Sequence, residues 1–221
     1  MKKLLYISVN TKPEGMSASK TVGREFVDRF VQNYPEYQLI EHDICNEYIP
    51  ELDHRFLNDN GDIVSGNDYN LLSDNDKKIV DRINDLCNEF VSADVYVIAY
   101  PMWSSLFPPR LKMYIDCIVQ NGKTIKISED ESSGLLSDKE RSVLCIQSSG
   151  GVYPKIISWK INHGINYLHD IFRHLGIKKF EKLLVEGVDV QDIGKEKAVE
   201  KAFDEIDELI DKMQVRDFVK Q

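Results

Sequence analysis

Short apolar runs alternate with helical periods along the whole chain. Lys3 to Val9 is apolar and rich in β-branched and aromatic residues, which predicts a buried first strand. Val22, Phe26, Phe30 and Tyr34 follow at a spacing of four, the stripe of an amphipathic helix. Tyr37 to Asp43 alternates weakly and reads as a second strand. A long irregular stretch, Ile44 to Leu72, includes Asn60-Gly61 and Ser65-Gly66-Asn67. A loop of that length in a compact domain marks function or an interface. Ser73 with Asp76 three residues on is a helix start, and Ile79, Ile83, Leu86, Cys87 and Phe90 give that helix its apolar face. Asp94 to Tyr100 is the clearest strand. Pro108-Pro109 open a helix faced by Leu111, Tyr114, Ile115 and Ile118, which Asn121-Gly122 is expected to end. Ser142 to Ser148 is a fourth strand, a helix spans about Ile156 to Leu175, and Phe180 to Glu186 is a fifth strand. One last helix carries Val199, Phe203, Ile206, Ile210 and Met213. Neither a repeat nor a linker interrupts this, so residues 1–221 read as one domain. Five strands separated by helices predict a parallel sheet covered on both faces. The elements alone leave the strand order open.

A net charge of −9 disfavours a nucleic-acid binder, which needs a basic face, and equally disfavours docking on anionic membranes. No apolar run reaches the roughly 18–20 residues of a membrane helix, and the stretch after Met1-Lys2-Lys3 stops at Asn10 to Pro13, too short for a signal sequence. The expected location is therefore cytoplasmic. Cys45, Cys87, Cys117 and Cys145 form no C-x-x-C pair and sit beside apolar residues, so they are expected to be buried, reduced thiols. His163, His169 and His174 match no metal pattern and read as helix-surface or rim residues.

Candidate chemistry lies in the turns that follow strands. Ligands of open α/β sheets bind beyond the C-terminal strand ends, at the switch point, and in the order 2-1-3-4-5 the turns after strands one, three and four lie together. The first runs from Asn10 and delivers Ser17-Ala18-Ser19 to a helix start, where free amides and hydroxyls suit a phosphate monoester; Ser17 reads equally as a plain N-cap. The second, Pro101-Met102-Trp103-Ser104-Ser105, can flank a flat ring, or Met102 and Trp103 can be core. The third, Ser148-Ser149-Gly150-Gly151, lets backbone approach a flat ligand, or is an ordinary glycine loop. A phosphorelay receiver shares this order but needs acids after strand one and an aspartate after strand three, where Asn10-Thr11 and Pro101-Met102 stand. Neither a G-x-G-x-x-G nor a G-x-x-x-x-G-K-[ST] loop is present, so a nicotinamide would visit transiently.

Met16-Ser17-Ala18-Ser19, Tyr100-Pro101-Met102-Trp103, Phe107-Pro108-Pro109-Arg110-Leu111-Lys112, Gly122-Lys123-Thr124, Gly134-Leu135-Leu136 and Ser148-Ser149-Gly150-Gly151-Val152-Tyr153 occur in this order over nearly the whole chain. In this ordered set the chain resembles the FMN-dependent NADH-azoreductases, a branch of the flavodoxin-like NAD(P)H quinone reductases. The resemblance implies an α/β flavodoxin-like three-layer sandwich with a five-stranded parallel sheet in the order 2-1-3-4-5. It implies FMN held by Ser17, Ala18 and Ser19 at the phosphate, with Asn10 or Thr11 nearby, and by Pro101, Met102, Trp103, Ser104, Ser105, Ser148, Ser149, Gly150 and Gly151 at the ring and ribityl chain. It also implies NADH or NADPH as donor, quinones or azo compounds as acceptors, and a homodimer. Chemistry on the flavin leaves no obligatory catalytic side chain. A non-enzymatic electron carrier or FMN-dependent regulatory binder is the competing reading, distinguished by one-electron chemistry and little NADH oxidation. The chain departs from the family at Ser104-Ser105, where relatives commonly carry Asn-Phe, at Ser149, often Arg, and at Ile125 and Ile127, where they carry aromatics. These departures place the substrate pocket, rather than FMN binding, in question.

Overall fold

The computed structural model describes residues 1–128, 131–154 and 160–215. Its centre is a five-stranded parallel sheet of β1 (Lys2–Ser8), β2 (Tyr37–Asp43), β3 (Val95–Pro101), β6 (Ser142–Ser149) and β7 (Lys179–Glu186), ordered β2-β1-β3-β6-β7. This is the expected 2-1-3-4-5 of the core strands. A separate two-stranded antiparallel ribbon, β4 (Ile125–Ile127) with β5 (Ser132–Gly134), was not anticipated from the sequence.

Alternation along the central strands divides the interior into two cores. Leu4, Tyr6, Val95, Val97, Ala99, Leu144 and Ile146 face α1 (Ala18–Asn33), α6 (Gly194–Phe203) and α7 (Ile206–Met213). Leu5, Ile7, Tyr96, Ile98, Tyr100, Val143 and Cys145 face α3 (Asp74–Ser92), α4 (Pro109–Ile118) and α5 (His163–His174). Both sheet faces are covered, which is why β1, β3 and β6 read as near-continuous apolar runs.

The long stretch after β2 is more structured than expected. It includes a 3-10 turn, His54–Phe56, and the short helix α2 (Gly66–Leu71), and it buries Ile44, Ile49, Phe56 and Val64 in the core beside α3 and α4. Ser73 Oγ accepts from Asp76 N–H at 3.1 Å, capping α3 as the sequence predicts, and Val80, rather than the half-buried Ile79, is fully buried with Ile83, Leu86, Cys87 and Phe90.

Other expectations need correction. The helix after Pro108-Pro109 ends at Ile118, not at Asn121-Gly122. Side chains satisfy its last carbonyls: Thr124 Oγ1 donates to Ile118 O and Gln120 Nε2 to Cys117 O, both at 2.8 Å. Gly122, at φ +79°, belongs to the following turn. Of the helix expected from about Ile156 to Leu175, Lys160 and Ile161 are helical and α5 continues from His163 behind an Asn162 cap, while Ile156 lies outside the described residues. The last helix is two, α6 and α7, broken at Asp204-Glu205, so that both halves lay apolar faces on one core. Cys87, Cys117 and Cys145 are buried free thiols, whereas Cys45 is half-buried. Among the described residues no helix is long and apolar enough to cross a membrane.

Candidate functional site

The turns after β1, β3 and β6 converge on one cleft of about 250 Å³ at the C-terminal edge of the sheet. Asn10, Ser17, Ala18, Pro101, Met102, Trp103, Ser148, Ser149 and Gly150 line it. Four expected residues do not. Ser19 is buried behind Ser17, with 3.3 Å between their hydroxyl oxygens. Ser104 and Ser105 sit in the turn beyond Trp103, and Gly151 lies one residue past the lining. Thr11, Lys12, Met16, Val188 and Asp189 complete the wall. Sequence reasoning placed Thr11 nearby and missed the other four. Val188 and Asp189 follow the C-terminal end of β7, so the strand-end rule that found the other turns applies to them too.

One corner is a helix start. Ser17 Oγ caps α1 by accepting from Lys20 N–H at 3.3 Å, and Asn10 Nδ2 donates to the same oxygen at 2.9 Å. The amides of Ala18 and Ser19, in the first turn, have no intrahelical carbonyl within reach. With the dipole of a 16-residue helix behind them they are donors for an anion. Lys20 Nζ lies 2.7 Å from Asp43 Oδ2 at the end of β2 and 3.5 Å from Asn10 O, so its charge is paired beside the corner.

The opposite wall is Met102 and Trp103. Met102 N–H donates to Ser148 O at 2.7 Å, joining the second turn to the third. Trp103 and Leu106 exchange backbone hydrogen bonds of 3.0 and 2.9 Å around Ser104-Ser105, at φ +48° and +65°. This is a two-residue turn with both central residues left-handed, a geometry that favours Asn-Gly and costs other L-residues roughly 1–2 kcal/mol each. The side chain of Trp103 is 45% exposed, so it is a wall residue and not core.

The third side is backbone. The amides of Gly150 and Gly151 donate to no group among the described residues. Ser149 Oγ folds back to Gly151 O at 2.9 Å. A Cβ on Gly150 would lie 2.4 Å from Asp189 Oδ2, so this glycine clears a neighbouring carboxylate. Gly151 has room for a Cβ. Ile125 is buried and Ile127 exposed, and neither lines the cleft of this chain. Of the described lining residues, Lys12 and Asp189 alone are ionisable. The cleft therefore offers an anion corner, an apolar wall and an amide edge, with these two ionisable side chains at its wall. That is the donor set for a planar, phosphorylated ligand.

A family model for the flavodoxin-like fold matches residues 2–210. The chain belongs to the flavodoxin-like fold family. Within this flavodoxin-like family the chain is 47% identical over 213 residues to an FMN-dependent NADH:quinone oxidoreductase of Ruminiclostridium cellulolyticum, covering 96% of this chain and 100% of that protein. It is 45% identical over 212 residues to the protein of the same name in Clostridium botulinum strain Eklund 17B, covering 96% and 99%. Among solved flavodoxin-like structures it is similar to an FMN-dependent NADH-azoreductase from Bacillus anthracis in complex with FMN, with a TM-score of 0.83 and 25% identity over 96% of this chain and 98% of that one.

Proposed function

We propose that this chain is an FMN-dependent NAD(P)H oxidoreductase that reduces quinones and azo compounds. The observation that carries the reading is the convergence of three strand-end turns on one cleft with free helix-start amides, an apolar wall and a free amide edge. Relatives of nearly full coverage that carry the name FMN-dependent NADH:quinone oxidoreductase support it.

Ala18 and Ser19 amides and the Ser17 hydroxyl would hold the FMN phosphate, with Asn10 fixing Ser17. Met102 and Trp103 would flank the ring, and the Gly150 and Gly151 amides would bond its polar edge. Bound FMN supplies two-electron redox chemistry. The protein's part is to orient reactants against the ring and to present N–H donors where negative charge gathers. One cleft serves both reactants, so the donor leaves before the acceptor enters. We take the chain to act in the cytoplasm as a homodimer, with quinones reduced robustly. Ile125, Ile127 and Ser105 do not line the cleft of a single chain, so they bear on azo selectivity only if a second subunit brings them to the site.

The test is to release flavin from the purified protein with acid, then measure steady-state rates. About one FMN per chain and parallel double-reciprocal lines are expected, with anaerobic bleaching by NADH or NADPH deciding the donor. FAD, or a colourless protein that cannot be reconstituted, would overturn the cofactor. Intersecting lines would overturn the shared cleft, and one-electron chemistry with negligible NADH oxidation would favour an electron carrier. Light scattering at micromolar concentration tests the dimer; a fully active monomer contradicts it.

A further inference from the structure

One residue before the cleft's Ser148, two amide side chains face each other. Gln147, on β6, and Asn162, the N-cap of α5, are 2% and 9% exposed. Gln147 Nε2 donates to Asn162 Oδ1 at 3.0 Å, and Asn162 Nδ2 donates back to Gln147 Oε1. Asn162 Oδ1 also accepts Ile165 N–H at 3.1 Å, closing the first turn of α5. Within that turn Gly164 N–H donates to Ser105 O at 3.1 Å. Gly164 fits closely: a Cβ there would lie 3.2 Å from the Leu106 carbonyl carbon and 3.3 Å from Gln147 Nε2. One helical turn thus touches the amide pair on one side and the left-handed Ser104-Ser105 turn on the other. Trp103, at the base of that turn, lines the cleft. The residue after Gln147, Ser148, takes the Met102 N–H.

A buried apolar pair could fill the same space at little net cost in stability, because buried hydrogen bonds largely replace bonds to water. What a reciprocally bonded amide pair adds is direction: it permits one register of α5 against β6. We propose that the Gln147–Asn162 pair is a positioning element that sets the start of α5 against the Trp103–Leu106 hairpin, holds its two left-handed serines, and so fixes Trp103 at the mouth of the cleft where the electron acceptor must fit. The naming of that acceptor rests on the proposed function; the placement of the hairpin does not.

Asn162→Ser keeps a capping oxygen for Ile165 N–H but cannot form the reciprocal pair, and it leaves the buried Gln147 amide without its Asn162 partner. Gln147→Met/Asn162→Ser removes that orphan. A merely structural pair predicts that the double variant regains wild-type behaviour together with stability. Positioning predicts a double variant with near-wild-type melting that differs in two readouts. Exchange of the Gly164 amide in FMN-free protein, followed by NMR, should be about tenfold faster or more, as expected for the loss of roughly one hydrogen bond's worth of order. KM for a quinone should rise about tenfold with kcat within about twofold. Adding Ser105→Gly should recover part of the KM, because glycine adopts the left-handed conformation unaided. Gln147→Met alone, a milder change, is read in the same way should the double variant not fold. Wild-type Gly164 exchange and wild-type KM in a folded variant would overturn the proposal. If the wild-type protein itself takes up no FMN, the proposed function fails while Gly164 exchange still decides the positioning role.

Discussion

Alanine at Gly23 would probe how the sheet positions the anion corner. Gly23 lies in α1 where the helix crosses β1 and β3. A Cβ there would stand 2.7 Å from Tyr6 Oη, 2.9 Å from Ala99 Cβ and 3.0 Å from Tyr6 Cε2. Ordinary carbon contacts are about 3.5–4.0 Å, so a gap of roughly 0.5–1 Å must open. Tyr6 is 2% exposed and donates to Lys20 O at 3.4 Å, and Ala99 is fixed in a central strand, so neither gives way easily. Overpacking of this kind costs about 1–3 kcal/mol, and alanine's helix propensity returns about 0.5–1 kcal/mol. Mid-range values leave a net loss of about 1 kcal/mol, which corresponds to roughly 2–4 °C in Tm for a chain of this size. The displaced element is also the one that carries the Ala18 and Ser19 amides five and four residues upstream. Charge-assisted hydrogen bonds are worth about 1.5–3 kcal/mol, so weakening one lowers FMN affinity by roughly tenfold to a hundredfold. Differential scanning fluorimetry of the apoprotein and an FMN titration read the two effects separately. Gly15→Ala is the control, since a Cβ there meets nothing within 4 Å, and it should change neither. A Gly23→Ala protein that melts at or above wild type with unchanged FMN affinity would refute the reasoning.

Three further outcomes follow from the same geometry. Ser105→Gly should raise stability by about 1 kcal/mol in urea denaturation, because φ +65° strains serine; a loss of stability would show that the serine side chain matters more than the backbone. Gly150→Val should leave apoprotein melting nearly unchanged, because the colliding atom is the end of the flexible Asp189 side chain, yet weaken FMN binding; if Gly150→Val/Asp189→Gly restores affinity, the glycine serves to clear Asp189 and not to admit the ring. Burial pushes the Cys87 thiol up to about 11 and the Cys117 thiol up to about 12, and raises Cys145 further. Unfolded thiols titrate near ~8.5, so the unfolded chain releases these protons first as pH rises. The stabilisation is complete below that value and is lost between about 8.5 and the folded pKa values, so urea midpoints should fall from pH 8 to 10, and Cys87, Cys117 and Cys145 should react with a disulfide reagent at pH 8 only after unfolding. Rapid labelling of all four thiols in the native protein contradicts this.

The sequence by itself determined the elements whose cause is local. Lys3 to Val9, Asp94 to Tyr100 and Ser142 to Ser148 are apolar enough that only the interior of a doubly covered sheet suits them, and each matches an observed strand within a residue or two. Ser17 and Ser73 announce helix starts because a side-chain oxygen can reach an amide two or three residues on. The strand-end turns were legible for a related reason: parallel sheets gather them at one edge whatever the side chains. Tertiary structure alone decided what depends on distant neighbours. Gly23 looks like a mild helix defect until Tyr6 and Ala99 stand beside it. Thr124 captures the end of α4 ahead of Gly122, and a turn at Asp204-Glu205 splits one apolar stripe into two helices on one core. Ser104 and Ser105 carry no mark of left-handed backbone, since the hairpin bonds between Trp103 and Leu106 impose it. Asn162 meets Gln147 from fifteen residues away. Periodicity records which face of an element is buried, and it holds no information about which residue of another element will lie against that face.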